Sequence, residues 1–161
     1  MSGNSQTNAA TPTESASPPT GELDAVADLF RTLGMARRLR ITQLFVRVAG
    51  TLCGCEIADI LQLEDYQVSR DLSALKKAGV VESRERTGTW IHYRLVTEPS
   101  QTVASLIELV SQLPSEPRVE RRLAMRLAFR ERAGCVLGVG DPEVLAALDR
   151  ATDTQVLTVL D

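Results

Sequence analysis

Residues 52–95 read LCGCEIADILQLEDYQVSRDLSALKKAGVVESRERTGTWIHYRL, and the hydrophobic period changes inside this stretch. Ile57, Ile60 and Leu61 are apolar at helical spacing, which predicts a helix over about residues 52–61. Glu64 and Asp65 make a short polar turn, and a second helix is predicted over about residues 66–78. Val68, Leu72 and Leu75 form one stripe of that helix, and Gly79 suits a left-handed C-cap. At about 100° per residue, Tyr66, Ser69, Arg70, Ser73 and Lys77 project from the other side. Beyond Gly79 two strand-like runs, 80–86 and 90–95, flank Thr87-Gly88-Thr89, a hairpin signal with glycine in the loop. Two short helices at a tight turn followed by a hairpin are the parts of a winged helix-turn-helix. In that arrangement the first helix supports and the second reads a DNA groove.

The residue types agree with that use. Arginine pairs bidentately with guanine, and short polar groups reach bases or phosphates. Tyr66, Gln67, Ser69, Arg70, Ser73 and Lys77 are therefore the candidate DNA-binding residues of the helix. Arg84, Arg86 and Thr89 are those of the wing, placed for phosphate or minor-groove contact.

Working outward, Leu23, Val26, Phe30 and Leu33 recur at helical spacing until Gly34. A helix over residues 36–48 turns Leu39, Ile41, Leu44, Phe45 and Val48 inward and Arg37, Arg38, Arg40 and Arg47 mostly outward, with Gly50 as its stop. After Pro99, residues 101–113 carry Val103, Leu106, Ile107, Val110 and Leu113 on a wide apolar face. The predicted architecture is mainly α with a β-hairpin wing, and its domain spans residues 22–113. Residues 1–21 are Ser, Thr, Ala, Asn, Pro and Gly-rich with one charge, Glu14, and read as a disordered tail.

Residues 114–161 read as a partly helical C-terminal extension. Residues 118–132 hold six arginines against two glutamates, with Val119, Leu123 and Leu127 in helical register. This segment is expected to be a solvated or acidic-partner-facing surface, able to pair with the acidic last helix, and not a second DNA reader. Cys135 sits in a Gly-rich apolar stretch, and Asp141-Pro142-Glu143 opens a short helix.

Composition narrows the class. A chain of 161 residues, 43% hydrophobic, suits one domain with extensions. Aromatics are only 4%, so the core must be Leu, Val, Ile and Ala. No apolar run approaches the roughly 18 residues of a membrane span, and no signal-peptide pattern opens the chain, so a cytoplasmic location with no membrane contact is expected. A net charge of −3 argues against a general polyanion binder. Three cysteines, an odd number, read as reduced thiols and not as a structural disulfide framework. No βαβ pattern surrounds Cys53-Gly54-Cys55, so a thioredoxin-like enzyme is excluded and no enzymatic activity is expected.

The run from LGMARRLRITQLF through LCGCEIADILQLEDYQVSRDLSALKKAGVV to GTWIHYRL resembles the ArsR/SmtB family of metal-responsive transcriptional repressors, of the arsenical-resistance type. LCGCEI is similar to the thiol motif of arsenic and antimony sensors and of cadmium and lead sensors. The resemblance implies a homodimer, joined through the first and last helices of the domain, that binds an operator palindrome and releases it when metal binds. The apolar faces of those two helices, too broad for one small domain to cover, fit a dimer independently.

On a regular helix, positions i and i+2 point about 200° apart, so Cys53 and Cys55 cannot grip one ion unless the backbone is irregular. Gly54 permits such irregularity. Soft thiolates select thiophilic ions, and a helix N-terminus favours the deprotonated sulfur. Where arsenical sensors of this type often carry another cysteine, this chain has Ala58, and residues 1–22 contain none, which leaves Cys135 as the candidate third ligand. Cys53, Cys55 and Cys135 would suit As(III) or Sb(III), with Cd(II) or Pb(II) less favoured. A two-thiolate site with an exogenous third ligand, and Cys135 as an ordinary apolar residue, remain open. The family's zinc site on the last helix is discounted, since that helix offers Glu108 and no histidine. His92, the single histidine, is expected to be structural or a phosphate contact. The function expected is a dimeric repressor released by metalloid. The alternatives are the same fold sensing cadmium, lead, thiol oxidation or persulfide, and a winged-helix interaction module without DNA binding.

Overall fold

The structure is a computed structural model and describes residues 20–87, 90–133 and 141–153. Five helices and a small sheet form the expected winged helix-turn-helix: α1 (Thr20–Leu33), α2 (Ala36–Val48), β1 (Leu52–Cys53), α3 (Gly54–Leu61), α4 (Asp65–Lys77), β2 (Val81–Thr87), β3 (Trp90–Leu95) and α5 (Gln101–Gln112). Two further helices follow, α6 (Pro117–Ala133) and α7 (Pro142–Asp153). The core is aliphatic, as the composition led one to expect, apart from Phe45. Ile41, Leu44, Phe45, Leu52, Ile57, Ile60, Val68, Leu72 and Leu75 are all buried in it.

Each boundary has a local cause. Ser100 caps α5 by accepting from the Val103 N–H at 3.3 Å. Gly79, with φ +71°, takes the left-handed position after α4. At the end of α2 it is Ala49, φ 48°, that turns left-handed, where Gly50 was expected to act as the stop. The sheet order is β1-β3-β2, all antiparallel. Ser83 pairs with Tyr93 and Arg86 with Ile91, so one extra residue bulges out of β2 and bends the wing.

Further sequence expectations change: Thr87, expected in the wing loop, ends β2 opposite Trp90. Leu52 and Cys53 do not begin the third helix; they form β1, which pairs Leu52 with Tyr93 and Cys53 with His92. The ladder to β3 outcompetes a first helical turn whose four N–H groups would lack partners. Arg37 and Arg38 do not simply face outward. Both bind the Asp71 carboxylate, whose side chain is 1% exposed.

Phe30 and Leu23 on α1 are 57% and 62% exposed, and Leu109 on α5 is 54% exposed. The described residues of the chain therefore leave these three apolar side chains uncovered.

Candidate nucleic-acid interface and thiol site

α3 and α4 are joined at Gln62, whose φ of 54° lets the chain reverse, and Leu63 N–H closes the turn on the Ala58 carbonyl at 3.0 Å. α4 is then anchored on its inner side by Val68, Leu72 and Leu75 and by Asp71. Arg38 Nε donates to Asp71 Oδ1 at 3.0 Å, and Arg37 Nε donates to Oδ2. Burial alone would push the Asp71 carboxyl up, but hydrogen bonds from Arg37 and Arg38 outweigh it and hold the group below the usual carboxylate range. α4 is thus pinned at its middle by a buried acid on the side opposite its exposed polar face.

Its outer face is free of such anchors. Tyr66 is 62% exposed, and Ser69, Arg70, Ser73 and Lys77 are all exposed. Ser73 Oγ donates to the Ser69 carbonyl at 2.8 Å, which leaves its oxygen available as an acceptor. Gln67 is half-buried, and its Oε1 accepts from the Glu64 N–H at 3.2 Å, so it caps the helix with its amide oxygen. Lys76, next to Lys77, ties α4 to the wing through Ser83 Oγ at 2.9 Å. Arg84 is exposed on β2, and Arg86 sits in the same strand opposite Ile91. Thr89 lies outside the described residues.

The thiols occupy the junction of sheet and support helix. Cys53 ends β1 in an extended conformation, φ −87° and ψ 163°, while Cys55 is already inside α3. This break supplies the irregularity that a shared site requires, so the side chains converge where a continuous helix would splay them. The two sulfurs are bonded to each other, with Cα atoms 5.4 Å apart, where separate reduced thiols were expected. Both residues are buried, at 0% and 3% exposure, and a groove between α4 and the wing opens beside Cys55. Among the described residues no group of three or more His, Cys, Asp or Glu side chains is arranged to hold a metal ion. The described part of the site thus offers two sulfurs. Cys135 lies outside the described residues.

The largest departure concerns the arginine-rich segment. α6 is not a solvated face: Arg122 and Arg126 are 1% and 0% exposed and lie across α3. Arg122 donates to the Asp59 and Ile60 carbonyls at 2.6 and 3.1 Å, and Arg126 Nε to Asp59 Oδ2 at 3.1 Å. Arg130 forks onto Glu56, Nε to Oε1 at 2.9 Å and Nη2 to Oε2 at 2.5 Å, and also reaches the Thr51 carbonyl at 2.8 Å. Glu56 Oε2 accepts in turn from the Cys53 N–H at 2.8 Å. The expected link to the acidic last helix includes the pair Arg122 to Asp149 at 3.3 Å. Sequence reasoning missed Glu56, Asp59, Asp71 and the three arginines. The available signal was a pair of carboxylates inside the otherwise apolar GCEIADIL.

Residues 36–83 match the family described as "Bacterial regulatory protein, arsR family". The arsenic resistance transcriptional regulator ArsR1 of Pseudomonas putida is 38% identical over 80 residues, a match covering 50% of this chain and 61% of that protein. The chain therefore spans less than two thirds of that relative. An uncharacterized HTH-type transcriptional regulator of Methanocaldococcus jannaschii is 36% identical over 90 residues, covering 56% of this chain and 96% of that one. Among solved structures, reduced HlyU from Vibrio cholerae N16961 superposes with a TM-score of 0.50 at 24% identity, over 60% of this chain and 95% of HlyU, a likeness that bears on the fold.

Proposed function

The chain belongs to the arsR family of transcriptional repressors, and from that membership we propose that it binds operator DNA as a homodimer and is released when trivalent arsenic or antimony binds its cysteines. The observation that carries this reading is the convergence of Cys53 and Cys55 at the start of the helix that supports the recognition helix. The name of the Pseudomonas relative, an arsenic resistance regulator, supports the metalloid.

The chemistry needs the reduced pair. A trivalent metalloid hydroxide exchanges each hydroxide for a thiolate sulfur; the thiol proton leaves with the hydroxide as water. Two such exchanges occupy Cys53 and Cys55, and the third valence falls to Cys135 or keeps its hydroxide. Arg130 touches Thr51 and Glu56, which flank the pair, and Cys135 follows five residues after Arg130 in the sequence. That tether supports Cys135 as the third ligand. Seating an ion between the sulfurs displaces the β1–α3 junction, and α3 carries the turn into α4. The angle of the two recognition helices is then biased by the ion, which is a coupling between two sites through a named element.

DNA contact is assigned to Tyr66, Gln67, Ser69, Arg70, Ser73 and Lys77 and to the wing residues Arg84, Arg86 and Thr89. Dimerisation is assigned to the faces bearing Leu23, Phe30 and Leu109. Among the described residues no helix is long and apolar enough to cross a membrane, in keeping with a cytoplasmic regulator. The bond between Cys53 and Cys55 favours one second reading: the same repressor responding to thiol oxidation or persulfide, here by joining its own pair and not through Cys135. Cadmium or lead at the same sulfurs is a variant of the first reading. Membership of this regulator family argues against the interaction module without DNA binding.

The test is an electrophoretic shift of the DNA upstream of its own gene by reduced protein, with arsenite, antimonite, cadmium, peroxide or polysulfide added separately. Release by arsenite or antimonite at stoichiometric levels is expected. Release by oxidant alone would replace the metalloid reading with the second one.

A further inference from the structure

α3 carries two carboxylates into the core, Glu56 at 0% exposure and Asp59 at 3%. Such groups are tolerated only when paired and hydrogen-bonded. Helix starts are commonly capped by a glutamate three residues in, and this needs no partner from elsewhere. Here the capping glutamate is itself gripped. Arg130, 28% exposed at the end of α6, makes a bidentate contact with Glu56 and uses one nitrogen also on the Thr51 carbonyl. One guanidinium therefore holds the backbone just before the Cys53-Gly54-Cys55 segment and the carboxylate just after it. That carboxylate in turn holds the Cys53 N–H.

We propose that Arg130, acting through Glu56, is a positioning residue for the Cys53 and Cys55 sulfurs, so that α6 sets how the thiol pair meets its ligand. The proposal rests on the metalloid reading above for its ligand, but not for its geometry. The fork is specific to arginine: a lysine ammonium keeps the charge and cannot span two carboxylate oxygens and a carbonyl at once. Loss of the fork frees the Thr51 to Glu56 segment while the Asp71 anchor of α4 and the outer face of that helix stay as they are. Metalloid affinity and DNA affinity should then separate.

The experiment uses the full reduced chain in four forms: wild type, Arg130→Lys, Arg130→Met, and Leu123→Ala as a control that trims buried packing and lowers stability while the Arg130 fork on Glu56 stays in place. Sodium arsenite is titrated by sulfur-to-arsenic charge-transfer absorbance, and operator binding is measured without arsenite. Both Arg130 variants are expected to bind arsenite at least tenfold more weakly while operator affinity stays within threefold. Leu123→Ala is expected to keep wild-type arsenite affinity. Wild-type arsenite binding in both Arg130 variants, or an equal loss in Leu123→Ala, would overturn the proposal. A second measurement needs no metalloid: iodoacetamide labelling of Cys53 and Cys55, read by mass spectrometry, should run at least fivefold faster in Arg130→Met than in Leu123→Ala. If wild type binds no arsenite, the functional reading fails alone, and equal labelling rates would then sink the positioning role.

Discussion

Arg126 on α6 lies 3.1 Å from the Asp59 carboxylate on α3, with the two side chains 0% and 1% exposed. A pair sealed to this degree adds little over an apolar pair of the same shape, but leaving one member alone exposes a buried charge to a low dielectric. Arg126→Met is therefore expected to destabilise the chain by about 3–5 kcal/mol, and Asp59→Leu combined with Arg126→Met to recover most of that loss. Urea denaturation of the three proteins checks this. A double variant no better than Arg126→Met would show that the pair is not what holds α6 to α3.

The Asp71 anchor gives a pH dependence with a definite sign. Its carboxyl is held below the usual range by Arg37 and Arg38 against the opposing push of burial, so the folded chain binds that proton less readily than the unfolded one. The stabilisation is full above the unfolded value of about 3.9 and is lost as pH falls through the lower, folded value. Asp71→Asn should be less stable than wild type at neutral pH, and the gap should narrow as the solution is acidified. Denaturation midpoints measured from neutral to acid pH decide it; a constant gap would assign the effect to packing.

On the outer face of α4, Arg70→Ala should cost about 1–3 kcal/mol of operator affinity and relax the base preference at one position. Lys77→Ala should weaken binding on all sequences alike and lower the salt dependence by about one counterion. Both residues are exposed, so thermal stability should stay within about 0.5 kcal/mol of wild type. Binding isotherms at several salt concentrations separate the two roles.

Phe30 and Leu109 are 57% and 54% exposed and are left uncovered by the described residues of the chain. Phe30→Glu places a charge where the proposed dimer would bury it, and sedimentation equilibrium should then find monomer where the parent chain is a dimer. An unchanged mass would move the dimer contact elsewhere.

Much of the fold was legible because its elements are long enough to show a period. Val68, Leu72 and Leu75 mark one face of α4, and Gly79 marks its end. The wing was visible from two strand-like runs flanking a glycine-bearing loop, although Thr87, read as part of that loop, ends β2 opposite Trp90. β1 was not, because a strand of two residues has no period to read, and its existence depends on β3, some forty residues later. Arg37 and Arg38 were read as outward for a related reason: spacing on α2 says nothing about an acid on α4.

The sequence by itself determined a winged helix-turn-helix with two thiols at the base of its support helix, since apolar spacing, turn residues and cysteine positions are local properties. Only the tertiary structure decided what the arginines of α6 do. Periodicity assigns a charged side chain to the polar face, yet it can be buried where a carboxylate from another element balances its charge and carbonyls accept its N–H groups. Arg122, Arg126 and Arg130 meet such partners on Asp59, Ile60, Thr51 and Glu56, contacts made across more than fifty residues of chain.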